Sequence, residues 1–120
     1  MKNLLLIFVG GGFGSVLRFL VSNYTQKILS FGGFPLGTFL VNIAGCFLIG
    51  IFSSWFLKEE GICKFLLIVG FCGGFTTFST FSAEGLMMWQ NGNYIMLLIY
   101  IVLSVAVGLV AVFLGSKIMI

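Results

Sequence analysis

Four long apolar stretches divide the chain, with short polar stretches between them. The first runs from about Leu4 to Ser22 and is interrupted by Arg18. The second, from about Phe34 to Leu57, carries no charge. The third runs from Lys64 to about Gln90 with Glu84 inside it, and the fourth, from about Tyr94 to Ser116, is again uncharged. Crossing roughly 30 Å of hydrocarbon takes about 20 apolar residues in a helix. All four stretches meet that length, so the pattern predicts an all-α membrane protein: four transmembrane helices in a single domain spanning residues 1–120. The connections are short. Asn23 to Gly33 is polar and glycine-containing, Lys58-Glu59-Glu60-Gly61 is a charged turn, and Asn91-Gly92-Asn93 has the composition of a tight turn. Short connections place consecutive helices antiparallel and adjacent, with both termini on one side.

The third stretch differs from the others. Its 27 residues would run to about 40 Å as one helix, longer than the hydrocarbon requires. Its middle reads Gly70-Phe71-Cys72-Gly73-Gly74-Phe75-Thr76-Thr77-Phe78-Ser79-Thr80-Phe81-Ser82. Adjacent glycines followed by Thr and Ser make a poor helix interior, and a break is expected between Gly73 and Thr77. At membrane depth a break frees backbone N–H and C=O groups, each of which costs several kcal/mol if left unpaired. Such breaks persist only where protein or a wet cavity protects them. A kink whose freed groups are satisfied by Ser and Thr side chains is one outcome. The other is ion binding: freed carbonyls suit a cation, and the N-terminus of the following half-helix suits an anion.

On that second half-helix Thr77, Thr80 and Glu84 share a face at helical spacing, with Thr76 on one flank and Phe81 and Phe78 on the other. A hydroxyl track thus leads to a carboxyl group beside two phenyl rings, whose edges are electropositive. Asn42 is the one amide inside the second stretch. At that depth it serves either to bond a neighbouring helix or to contact a permeant ion. Arg18 and Glu84 are costly within spans and mark candidate functional positions, although Arg18 can also snorkel from near its helix end.

Composition narrows the function classes. The chain is 60% hydrophobic and 8% charged, with a mean hydropathy of +1.22. Soluble domains carry about a quarter charged residues, so too few charges are present to cover a water-facing surface. Six basic side chains scattered along the chain do not form the clustered face that nucleic-acid binding requires. They serve as loop and interface anchors. Lys2, Lys58, Lys64 and Lys117 on the side of the termini, against Lys27 and Arg18 toward the other, lean weakly toward termini inside. So small a bias is compatible with both orientations coexisting. Cys46, Cys63 and Cys72 form no CxxC pair, there is no histidine, and an odd count suits no closed disulfide set. Met1-Lys2-Asn3 before an apolar run imitates a signal peptide, but three further spans make a first span the better reading. Small residues punctuate the spans: Gly10, Gly11, Gly12 and Gly14; Gly37, Gly45 and Gly50; Ser104, Gly108, Ala111 and Gly115. They fit close helix packing in lipid.

Taken together these residues resemble the Fluc (CrcB) fluoride channel family over essentially the whole chain. The resemblance rests on Gly10-Gly11-Gly12-Phe13-Gly14 through Arg18, on Gly37-Thr38-Phe39-Leu40-Val41-Asn42 through Gly45, and above all on Gly70 through Ser82. It implies an antiparallel, dual-topology homodimer in the bacterial inner membrane. Two pores would pass fluoride passively, and a structural sodium ion would sit at the dimer interface. It further implies that Phe78 and Phe81 line the pores and that Asn42 is the pore asparagine. Ser79 and Thr80 would belong to the polar track, with Glu84 at its acidic end. Arg18 would stand near the aqueous vestibule, Tyr100 would be a fourth-helix pore tyrosine, and the carbonyls of Gly73 and Thr76 would hold the sodium.

Two other readings use the same envelope. A small proton-coupled multidrug exporter needs a carboxylate in the first span, where only Arg18 is ionisable. A non-conducting packing or assembly protein explains the glycines but not a Gly-Gly break followed by a Thr/Ser/Phe track. An intramembrane enzyme has neither a histidine nor a nucleophile beside a base.

Overall fold

The computed structural model of the chain describes residues 1–28, 33–56 and 64–118. Its elements are helix α1 (Lys2–Ile28), helix α2 (Leu36–Phe56), a wide π-helical segment π1 (Lys64–Cys72), a single α turn α3 (Gly73–Phe75), helix α4 (Phe78–Gln90) and helix α5 (Tyr94–Ile118). Segments π1, α3 and α4 together form the third span. Four stretches of helix are thus long and apolar enough to cross a membrane, as the hydropathy pattern predicts. Leu57, the Lys58–Gly61 turn and Cys63 lie outside the described residues.

One boundary differs from expectation. Helix α1 does not stop at Ser22 but continues through the polar residues to Ile28. The reason lies in its last turns: Lys27 complements the negative end of the helix dipole. The Gln26 side chain accepts a hydrogen bond from the Gly37 N–H at 3.1 Å, tying this end to the start of α2. The break in the third span falls within the expected Gly73–Thr77 window, at its end. Gly73 and Gly74 remain in a helical turn, and the extended residues are Thr76 (φ −85°, ψ 156°) and Thr77 (φ −150°, ψ 124°).

Gly74 and several glycines elsewhere allow backbones to touch. Helix α1 packs chiefly on π1 and α3, and α2 chiefly on α5. A Cβ on Gly10 would collide with the Leu66 carbonyl oxygen, one on Gly14 with the Phe71 carbonyl, and one on Gly74 with the Gly11 carbonyl. The second seam repeats this arrangement: a Cβ on Gly50 would strike the Val112 carbonyl, and one on Gly115 the Phe47 carbonyl. In lipid, where apolar side chains gain little by leaving their solvent, such close backbone contact supplies the packing energy. Among the described residues the fully enclosed side chains are few, chiefly Val41, Cys72 and Tyr100. Large apolar side chains such as Leu5, Phe8 and Phe13 on α1, and Leu98, Val102 and Leu109 on α5, face outward, where a bilayer is their natural surroundings. Between α4 and α5, Asn91-Gly92-Asn93 forms the expected tight turn, with Gly92 at φ +78°, a conformation that glycine adopts without a Cβ clash.

Candidate ion-binding groove

The break is where the polar chemistry gathers. Thr77 is the N-cap of α4, so its carbonyl accepts the first bond of that helix while its N–H has no helical partner, and the amide of Asn42 meets both groups. The Thr77 N–H donates to Asn42 Oδ1 at 2.8 Å, and Asn42 Nδ2 donates to the Thr77 carbonyl at 3.1 Å. One planar amide on α2 therefore reproduces the donor and acceptor of a backbone strand. Upstream, the Cys72 carbonyl accepts from both the Thr76 N–H (3.1 Å) and the Thr76 hydroxyl (2.9 Å). The Gly74 carbonyl accepts from Arg18 Nε at 3.1 Å. Downstream, Thr77 caps α4: its hydroxyl oxygen accepts from the Thr80 N–H at 3.2 Å. That hydroxyl lies within 3.1 Å of the Ser79 hydroxyl and donates to the Thr80 hydroxyl at 3.3 Å.

Beside the break an open groove of about 300 Å³ is lined by Asn42, Cys46, Thr77, Phe78, Phe81 and Ser104, among others. Phe78 is 78% exposed and Phe81 is half-buried. Their ring centroids lie 5.8 Å apart at 35°. The groove is mostly apolar with a few hydroxyl and amide groups, and it is open on the outer face of the subunit rather than enclosed by it.

Glu84 stands apart from this groove. Its carboxylate oxygens accept one hydrogen bond each, from the Thr38 hydroxyl at 3.0 Å and from the Tyr100 hydroxyl at 3.1 Å. Thr38 and Tyr100 are both buried, Tyr100 fully. The Tyr100 ring packs 4.9 Å from that of Phe81 on one side and 5.4 Å from that of Phe34, edge-on, on the other. The structure thus brings Asn42, Thr77, Phe78 and Phe81 to one wall. Ser79 and Thr80 join them through the Thr77 hydroxyl, and Glu84 and Tyr100 through the Phe81 ring. Arg18 is held at the far side of the break, on Gly74. Thr76 lines the groove, while Gly73 is exposed with open space where a Cβ would stand.

Sequence reasoning missed Thr38, and it counted Ser104 as a packing residue. The signal was present for both. Thr38, Asn42 and Cys46 recur every four residues along α2, and Tyr100 and Ser104 stand four apart on α5, so each set shares a face.

A family model for the CrcB-like protein, Camphor Resistance (CrcB), matches residues 5–116 of this chain. The chain belongs to the CrcB-like family. Its relatives include proteins named fluoride-specific ion channel FluC. That of Azobacteroides pseudotrichonymphae is 48% identical over 118 residues, covering 96% of this chain and 94% of the relative. That of Phocaeicola vulgatus is 49% identical over 119 residues, covering 96% of each, and that of Flavobacterium psychrophilum is 44% identical over 118 residues. With four spanning helices and relatives of this kind, this CrcB-like chain is a multi-pass protein of the bacterial cell membrane.

Proposed function

We propose that the chain is one subunit of a fluoride-selective channel that lets the ion leave the cell down its gradient. The carrying observation is the groove at the break. It is an apolar trough with two phenyl rings, an amide and a hydroxyl cluster at membrane depth, in a chain whose relatives are named for fluoride. Fluoride is small and strongly hydrated. To leave water it needs hydrogen-bond donors and electropositive edges in place of its shell. Thr and Ser hydroxyls supply the first, and the edges of Phe78 and Phe81 supply the second.

An open trough is half a conduit. Phe78, at 78% exposure, offers a large apolar ring that only lipid or another protein surface can cover. A second copy in the opposite orientation would roof the groove, and twofold symmetry would then give two equivalent paths. The same arrangement bears on a cation. Gly73 is exposed beside the end of a helical segment, with nothing within 4 Å of its Cβ position, so a second backbone can approach. Carbonyl oxygens at such an end suit a hard cation. Gly73 and Thr76 would hold a structural sodium ion through their carbonyls, and its charge would ease the gathering of anions nearby.

The test is a planar-bilayer recording under opposed fluoride and chloride gradients. A reversal potential that follows fluoride supports the reading. One that follows chloride, or a current carried by protons, overturns it.

A further inference from the structure

We infer that Arg18 and Asn42 are positioning residues that brace the break from within a single subunit. This inference rests on the channel reading for its functional consequence and on geometry for the brace itself. At membrane depth every freed backbone group needs a partner. Two of those at the break, the Gly74 carbonyl and the Thr77 N–H, are taken by two side chains from other helices. Arg18 on α1 donates to the Gly74 carbonyl, and Asn42 on α2 both donates to and accepts from Thr77. The Arg18 brace lies just before the extended pair Thr76–Thr77, and the Asn42 brace holds the second residue of that pair.

The chemistry of each brace suits its place. Gly74 sits in the last turn before the chain unwinds, where carbonyls carry the negative end of the helix dipole, and a guanidinium meets both the lone pair and the dipole. Thr77 is extended, so its N–H and C=O point the same way and both meet one planar amide, which has a donor and an acceptor side by side. Neither brace comes from a second copy or requires a bound ion. The break is therefore preformed in the subunit, and the N-terminus of α4, with Phe78 and the Thr77–Ser79–Thr80 hydroxyls, is aimed before assembly. Arg18, which by its charge alone is a candidate to contact the anion, acts instead through the backbone of α3.

The test is residue-resolved hydrogen exchange over residues 70–82, with fluoride and chloride efflux from liposomes measured in parallel. In sodium-free wild type the Thr77 amide should already be protected. Arg18→Met should raise exchange of the break amides at least tenfold while the amides of α5 stay unchanged, and should lower the ratio of fluoride to chloride flux. Arg18→Lys, which keeps a donor and a charge at similar reach, should restore both readings. Asn42→Leu should expose the Thr77 amide in the same way. Break amides unchanged in both Arg18→Met and Asn42→Leu overturn the brace, as does a Thr77 amide that is protected only when sodium is added. Loss of flux with unchanged exchange overturns it too, and returns Arg18 to direct contact with the ion. If wild type passes no fluoride, the channel reading fails, while the exchange data still decide the brace.

Discussion

Phe78→Ile separates folding from conduction because the ring is so exposed. At 78% exposure it has little to lose within its own subunit, where Phe81, 5.8 Å away, is its aromatic neighbour among the described residues. Substitutions at such positions usually change stability by about 0.5 kcal/mol or less. Ile is apolar and of comparable bulk, so the groove stays apolar; what disappears is the electropositive ring edge. Contacts that depend on the ring quadrupole are worth about 0.5–1.5 kcal/mol. If the ion uses that contact at the top of its barrier, losing 1.4 kcal/mol slows flux roughly tenfold. Phe81→Ile should cost more of both, since Phe81 also packs 4.9 Å from Tyr100. The assay is fluoride efflux from liposomes at matched protein content, with unfolding in detergent measured on the same preparations. Normal flux in both variants would refute the ring-edge role. So would a loss of stability in Phe78→Ile large enough to explain slow flux by misfolding.

Other substitutions probe the packing, the cation and the acidic end. Gly50→Ala should destabilise the subunit by about 1–3 kcal/mol, because its methyl would meet backbone of α5, with Ser116 N at 3.0 Å and Gly115 Cα at 3.1 Å. Gly12→Ala, with nothing within 4 Å, should leave the unfolding midpoint unchanged or raised. Gly73→Val should leave the isolated subunit folded yet shift the sodium dependence of flux; an unaltered sodium titration would count against Gly73 at the cation site. Thr38→Val with Tyr100→Phe removes both hydroxyl donors to Glu84, each worth about 0.6–1.7 kcal/mol in a membrane. The double variant should slow fluoride efflux several-fold, and unchanged efflux would show that Glu84 is not on the path.

The helices were legible because spanning a membrane imposes a length and an apolarity that hydropathy reads directly. The break was legible to within a turn, since Gly-Gly followed by Thr-Thr is a weak helix. Its place within that turn was not, because Gly74 serves a packing need: it must clear the Gly11 backbone, a contact 63 positions away in sequence that local propensity does not encode. The same holds for α1, whose extra turns depend on Gln26 reaching Gly37. At the site, Asn42, Phe78 and Phe81 stood out by residue type and depth. The partners of Asn42 and Glu84 did not, because a hydrogen bond from α2 to the third span, or from α5 to α4, is set by how the helices cross. Thr38 passed as an ordinary residue, though its four-residue spacing from Asn42 pointed to the same wall.

Fluoride efflux from liposomes containing the purified protein, read with a fluoride electrode and with chloride run in parallel, tests the central claim most directly. Fast passive efflux of fluoride without movement of chloride is the predicted result. No fluoride flux from a well-folded, correctly reconstituted protein would contradict it.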